Sequence, residues 1–292
     1  MTKLNQTIRL SDGRKLGFNE YGVENGKALF YFHGSPSARN EFNLFGNEAL
    51  LEKLNVKLIA PDRPGSGFSD FQHNRRFLDW PKDVVQLANH LELEKFSILG
   101  YSGGGPYAAV CSYAIPDRIG KAGIVSGTAP FTEPHLTDGI NLNSLQFMEL
   151  SYQKPWLSRT ILLMMKLMTY LTPGKMIANA MASLPEPDQL TVAIPEVKNG
   201  FIDMLQEALR HGPRGASHDT RLMVSAWDFD PSRIIIPVHL WHGEADQNAP
   251  VVMGRFMEKV IPHSIGKFYP GEGHLSLFKK HIEEIIRTII SE

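Results

Sequence analysis

One cysteine, Cys111, stands alone in 292 residues, so no disulfide can close within the chain. It sits in the apolar run YAAVCSYA, where a thiol is expected to act as a small packing group. Charge of either sign is lacking as an excess: 30 Lys and Arg face 31 Asp and Glu, a formal charge of −1. No basic field is there to draw nucleic acid, and no acidic tail stands out. Long apolar runs are missing too. The longest, ILLMMKLMTYL at 161–171, holds eleven residues with a lysine inside, too short to span a bilayer. The opening MTKLNQTIRLSDGRK has no apolar core of the kind a secretory leader needs. A cytoplasmic protein without stable membrane insertion is the expectation. No histidine–carboxylate group has zinc-ligand spacing and no glycine loop is built to cradle phosphate, so neither a metal nor a nucleotide cofactor is implied.

What is present is a repeating pattern. NQTIRLSDGRKLGFNEYG reads as a hairpin about Ser-Asp-Gly. Then come short apolar runs of the kind a strand buried on both faces requires: ALFYFHG (28–34), VKLIAPDRPGSG (56–67), KFSILGYSGG (95–104), KAGIVSG (121–127), IPVHLWHGEAD (236–246) and GKFYPGEGH (266–274). One-faced helical segments lie between them. Val84, Leu87, Ala88 and Leu91 form one such stripe, and Ile282, Ile285, Ile286, Ile289 and Ile290 another. This alternation predicts an α/β fold: a mostly parallel sheet with helices on both faces and antiparallel strands at one edge. Between 131 and 226 no strand is legible. That segment is helical in pattern, cut by prolines at 134, 155, 173, 185, 187, 195 and 213, and holds eight of the eleven methionines. It is read as a helical insertion, with 1–130 and 227–292 forming the core domain.

The run ILGYSGGGPYA places Ser102 among four glycines where a strand meets a helix. Glycine is a poor choice inside either element, so the backbone must bend hard there. Gly-X-Ser-X-Gly at a strand-to-helix junction is a nucleophile elbow: Gly100 and Gly104 make room, and Ser102 stands exposed after Tyr101. The helix that follows points its N-terminus at the site and favours developing negative charge. A serine hydroxyl is a weak nucleophile at neutral pH, so a base must take its proton, and the usual base is a histidine oriented by a carboxylate. In this architecture the order along the chain is Ser, acid, His. His274 follows the last strand in the flexible setting GEGHLSL and is the preferred base. His263 lies in the loop before that strand, His281 inside the last helix, and His242 ends the preceding strand as a packing or turn residue. For the acid, Asp246 and Glu244 both follow VHLWHG, with Asp246 preferred at the turn into a helix. Asp62, in PDRPGSGFSD, has the setting of a structural turn, and no carboxylate follows KAGIVSG before Glu133. The oxyanion of an attacked carbonyl needs two backbone N–H groups. Gly103, after the nucleophile, supplies one, and Ser35 in HGSPSAR the other, with Gly34 turning its amide inward and His33 lining the site.

With these residues placed, the chain resembles the α/β-hydrolase superfamily. FHGSP, DRPGSGFSD, GYSGGG, WHGEAD and GEGH follow its landmarks in order over about 1–130 and 227–292. The resemblance is to the Ser-nucleophile members, the esterase, lactonase and proline iminopeptidase-like group. It sets aside the members that use Asp as nucleophile, and it implies that 131–226 is the variable cap in which substrate choice resides. The expected activity is hydrolysis of a small apolar carboxylic ester through an acyl-enzyme on Ser102, without cofactor, with a small molecule as partner and a homo-oligomer left open. The alternatives are a sensing protein with slow hydrolysis, an aminopeptidase, and non-hydrolytic chemistry such as acyl transfer or carbon–carbon cleavage. An aminopeptidase needs acids for the substrate amine. Glu186, Asp188 and Glu207 lie in the insertion, and the plainer expectation for them is surface charge. The pair His218-Asp219 is expected to be solvated or in contact with the cap. The helices TILLMMKLMTYL and ANAMASL are expected either to pack as a lid helix or dimer face, or to cover an acyl chain.

Overall fold

The structure is a computed structural model that describes residues 2–131 and 133–291. Eight strands form one sheet: β1 (Lys3–Arg9), β2 (Lys15–Gly22), β3 (Lys27–Phe32), β4 (Val56–Pro61), β5 (Phe96–Tyr101), β6 (Ile119–Val125), β7 (Val238–Gly243) and β8 (Ser264–Tyr269). Their order is β1-β2-β4-β3-β5-β6-β7-β8. The opening hairpin pairs antiparallel with itself and with β4, and every later pairing is parallel. The architecture is therefore the one predicted, hairpin at the edge included.

The apolar runs are continuous because both faces of the sheet are covered. Along β3, Phe30 and Phe32 enter one core with Val84, Leu87, Ala108 and Met253, while Leu29 and Tyr31 enter the other with Leu51, Phe278 and Ile286. The first core is walled by α3 (Trp80–His90), α4 (Gly105–Ala114) and α11 (Val251–Val260). The second is walled by α1 (Phe42–Phe45), α2 (Glu48–Lys53) and α12 (His274–Ile290). Cys111 is fully buried in α4.

Between β6 and β7 the described residues contain helices and no strand: α5 (Leu142–Gln153), α6 (Pro155–Leu171), α7 (Pro173–Ala182), α8 (Glu186–Val192), α9 (Pro195–Ala208) and α10 (Arg214–Met223). The prolines that break the pattern start helices here. Pro155, Pro173 and Pro195 each occupy a first turn, where a missing N–H costs nothing and the fixed φ suits the helix.

Parallel register sets the C-terminal ends of the strands side by side. Phe32 lies opposite Gly100, Tyr101 opposite Val125, Val125 opposite Trp241 and Gly243 opposite Tyr269. The loops leaving β3, β5, β7 and β8 thus emerge along one edge, where ligands bind in open α/β sheets.

Candidate active site

Ser102 takes φ +52°, a left-handed conformation that costs a non-glycine residue roughly 1–2 kcal/mol. The turn Ser102–Gly104 links β5 directly to α4. Its glycines are dictated by contact. A Cβ on Gly100 would sit 2.4 Å from the Gly104 carbonyl oxygen, and one on Gly104 would sit 2.0 Å from that of Phe32. The loop after β3 runs alongside: a Cβ on Gly34 would lie 3.7 Å from Ser102 Oγ.

Asp246 follows β7 in a turn that it builds itself. Its Oδ1 accepts from the amides of Asn248 and Ala249 at 2.8 and 2.9 Å, and its Oδ2 accepts from His274 Nδ1 at 2.7 Å. Burial acts to raise the Asp246 carboxyl, but the His274 imidazole and these donors outweigh it and hold it below the usual range. His274 shows the reverse balance. Burial acts to lower it, while the carboxylates of Asp246, Asp188 and Glu41 hold it above the ordinary histidine value. With Asp246 ionised, the proton of neutral His274 resides on Nδ1, and Nε2 keeps its lone pair. The hydrogen bonds of the described residues join Asp246 to His274 but do not join His274 to Ser102. The Tyr101 ring lies 5.1 Å from the His274 ring, and its hydroxyl donates to the His274 carbonyl at 3.2 Å.

Of the other candidates at this edge, His242 comes nearest the pair, with its Nε2 3.6 Å from Asp246 Oδ2. Glu244 pairs with Arg255 at 2.8 Å. His242 is buried and bonds the Ala249 carbonyl through Nε2 at 2.6 Å, as a turn residue would. His263 is exposed, and His281 lies against Tyr269.

Ser35 and Gly103 are brought together: Ser35 N lies 3.3 Å from the position of a Cβ on Gly103. The peptides before Ser35 are gripped from both sides. Gly34 N donates to Glu41 Oε2 at 2.8 Å, and that oxygen also accepts from the Tyr31 hydroxyl at 2.6 Å. The carbonyls of His33 and Gly34 accept from the two Nη atoms of Arg63, the latter at 2.5 Å. His33 is buried beneath this loop. Its Nε2 accepts from Arg63 N at 3.2 Å, so its Nδ1 donates to the Gly34 carbonyl at 2.8 Å. Burial and the Arg63 charge hold His33 neutral, well below the ordinary value.

Two expectations are corrected here. Asp219 is not solvated: it is 1 % exposed and lies between two guanidinium groups. Arg63 Nε donates to its Oδ2 at 2.8 Å, and Arg75 and the Tyr107 hydroxyl both reach Oδ1. Burial opposes its ionisation, but the two arginines hold its carboxyl far below the usual range. Its neighbour His218 is half-buried and bonds the Arg75 carbonyl at 3.0 Å. Asp188 is not surface charge either. It is fully buried and accepts from the amides of His274, Leu275 and Ser276 at 2.8 to 2.9 Å, which caps α12 from the insertion. Burial keeps its carboxyl above the usual range despite those donors. Glu207 is also engaged, with Arg39 at 2.6 Å and Arg210 at 2.7 Å, whereas Glu186 is exposed. Asp62 is the structural turn expected, accepting from the amides of Arg39 and Phe68, and burial raises it to about 6.

The family model of the alpha/beta hydrolase fold matches residues 27–154. A structure described as a bromoperoxidase from Bacillus anthracis superposes with TM-score 0.73 at 18 % identity, over 99 % of this chain and 100 % of that one. The chain has the α/β-hydrolase fold, and the family model matches somewhat under half of it. Among its curated relatives, a non-heme chloroperoxidase of Streptomyces lividans is 31 % identical over 127 residues, 42 % of this chain and 45 % of that protein, so the match spans less than half of the relative. A bifunctional esterase/perhydrolase of Acinetobacter calcoaceticus is 22 % identical over 91 % of this chain and 92 % of its own length. Among the described residues, no group of three His, Cys, Asp or Glu is placed to hold a metal, and no helix is long and apolar enough to cross a membrane.

Proposed function

We propose that the chain is a serine hydrolase of small apolar carboxylic esters, working through an acyl-enzyme on Ser102. The observation that carries this reading is the 2.7 Å contact between Asp246 and His274 at the sheet edge where Ser102 takes its left-handed turn. His274 Nε2 takes the Ser102 proton as Oγ bonds to the ester carbon. The carbonyl oxygen becomes an oxyanion held by the amides of Gly103 and Ser35. His274 then gives the proton to the departing alkoxide, and the alcohol leaves an ester on Ser102. Water attacks that ester with His274 again as base, which releases the acid and restores the serine. The helices between β6 and β7 act as the cap, anchored to the site through Asp188 on α8 and Asp219 on α10. An ester suits the site better than an aminoacyl amide. Asp188 and Glu207, two acids that could face a substrate amine, are already bonded to the α12 amides and to arginines.

A fluorophosphonate probe should label the folded protein, and Ser102→Ala should abolish labelling together with hydrolysis of p-nitrophenyl esters. Labelling that survives the substitution would overturn the assignment. Aminoacyl naphthylamides run beside the esters separate the peptidase reading. Retained ligand binding with negligible wild-type turnover would favour a sensor. A second reading, acyl transfer to hydrogen peroxide, draws on the esterase/perhydrolase that aligns over nine-tenths of both chains. Peracid formed from an ester and peroxide, and lost in Ser102→Ala, would support it.

A further inference from the structure

Helix α6 is apolar on both faces: Leu162, Met165 and Met168 pack inward, and a second apolar stripe faces out. A helix on a water-soluble domain turns its apolar stripe inward and its polar face to solvent. Here the buried positions include Ser158, whose hydroxyl meets that of Ser217 at 2.9 Å, and Thr169, which bonds back to the Lys166 carbonyl. The outer positions are Trp156, Leu163, Met164, Leu167, Tyr170 and Leu171, each 46 to 77 % exposed. They recur at i, i+7, i+8, i+11, i+14 and i+15, a single face about 22 Å long. Thr160 is the one polar residue within it. An exposed apolar face of this extent marks an interaction surface.

The charge of the segment that carries the face is of one sign. From 150 to 185 the sequence has no Asp or Glu, but it has Lys154, Arg159, Lys166 and Lys175. Among the described residues none of these four enters a salt bridge, although Lys166 bonds the Arg210 carbonyl. Trp156 and Tyr170 stand near the two ends, and such rings favour the boundary between headgroups and acyl chains. A second copy of the chain is a poor occupant. Pairing two of these faces would set cations against cations with no carboxylate to answer them. We infer that the outer face of α6 docks onto the surface of an anionic lipid bilayer, with its apolar side chains in the interfacial region and the nearby lysines at the headgroups. The helix lies on the membrane and does not cross it. This inference is independent of the reaction at Ser102.

The test uses the whole chain with vesicles of equimolar phosphatidylglycerol and phosphatidylcholine. Trp80 and Trp241 are buried and Trp227 is half-buried, so Trp156 is the well-exposed tryptophan. Its emission should shift to the blue on these vesicles, and the protein should float with them. Leu163→Glu with Leu167→Glu should lower binding at least tenfold with an unchanged circular dichroism spectrum, and Trp156→Phe should lose most of the blue shift yet still float. Lys154→Gln and Lys175→Gln should each weaken binding about fivefold. Absence of flotation by the wild type would overturn the proposal, as would equal binding to pure phosphatidylcholine. So would a dimer in sedimentation that Leu163→Glu dissociates, with no vesicle binding, because that result assigns the face to a second copy.

Discussion

The sheet and the helical insertion treat apolar side chains differently. Leu29, Phe30, Tyr31 and Phe32 in β3 have no accessible surface at all. Of the thirteen large hydrophobic residues that stand exposed among those described, ten lie between 131 and 226: Leu142, Tyr152, the six of the α6 face, Leu190 and Ile194. Buried charges occur in both regions: the core holds Glu41, Asp62, Arg63, Arg75 and Asp246 among others. The insertion sends Asp188 and Asp219 into full burial against the core, while part of its apolar surface faces out. The insertion is thus joined to the core both by apolar side chains such as Ile177, Val192, Leu205 and Met223 and by these two buried carboxylates. Substitutions should separate the two regimes.

The largest effect should come from Asp246→Asn. An asparagine keeps the shape but lets His274 take the other tautomer, and kcat should fall on the order of 10³–10⁴. The pH profile sharpens this. The base must be neutral, so the rate rises with pH through the His274 pKa. In the wild type the carboxylates hold that value up, and the acid limb of kcat/KM should lie above the unperturbed value of about 6.5. Without the Asp246 charge, burial dominates and the limb should move to lower pH.

Asp219→Asn comes next and bears on stability. It leaves Arg63 and Arg75 buried without their shared carboxylate, which costs about 3–5 kcal/mol in urea titrations. The pH dependence has a definite sign. Asp219 has a depressed folded pKa, so its contribution is complete above the unfolded value of about 3.9 and is lost as pH falls through the folded one. The wild type should lose this increment in acid, and the variant should have none of it to lose. Because Arg63 also holds the carbonyls of His33 and Gly34, kcat should drop more than KM changes. If stability falls with kcat untouched, the grip on the Ser35 loop is not functional.

Asp188→Asn should be milder, about 1–3 kcal/mol, since an amide oxygen still accepts some of the three α12 N–H groups. It should also move the acid limb down, by less than Asp246→Asn does, because Asp188 supports the His274 charge from further away. A residue of the insertion would then be tuning a group of the core.

Much of this arrangement could be read before any coordinates. Eight strands and the order Ser102, Asp246, His274 are written in local patterns. Strands buried on both faces need unbroken apolar runs, and the bend at Ser102 needs glycines against the β3 backbone. What escaped reading is pairing at a distance. Arg63 meets Asp219 across 156 positions, and Asp188 meets His274 across 86, with no periodic trace in either segment. Charge in a helical stretch reads as surface unless its partner is known, and both carboxylates have partners only the fold brings near. The helical pattern of α6 was legible, but the direction of its second apolar stripe was not: seventeen residues rich in Leu and Met look alike whether that stripe faces inward or outward.

The smallest effect tests that direction. Leu163→Glu puts a charge on a helix of the same insertion that holds Asp188 and Asp219, yet on the face turned from the core. If the side chain is as exposed as the structure places it, the carboxylate stays in water and displaces no packed atom. Stability should change by no more than about 0.5 kcal/mol. Turnover of a freely soluble ester without vesicles should stay at the wild-type level, because neither the Asp246–His274 pair nor the Ser35 loop touches this position. A loss of several kcal/mol on thermal or urea melting would mean that Leu163 is packed, and would erase the contrast between a buried core and an outward-facing insertion.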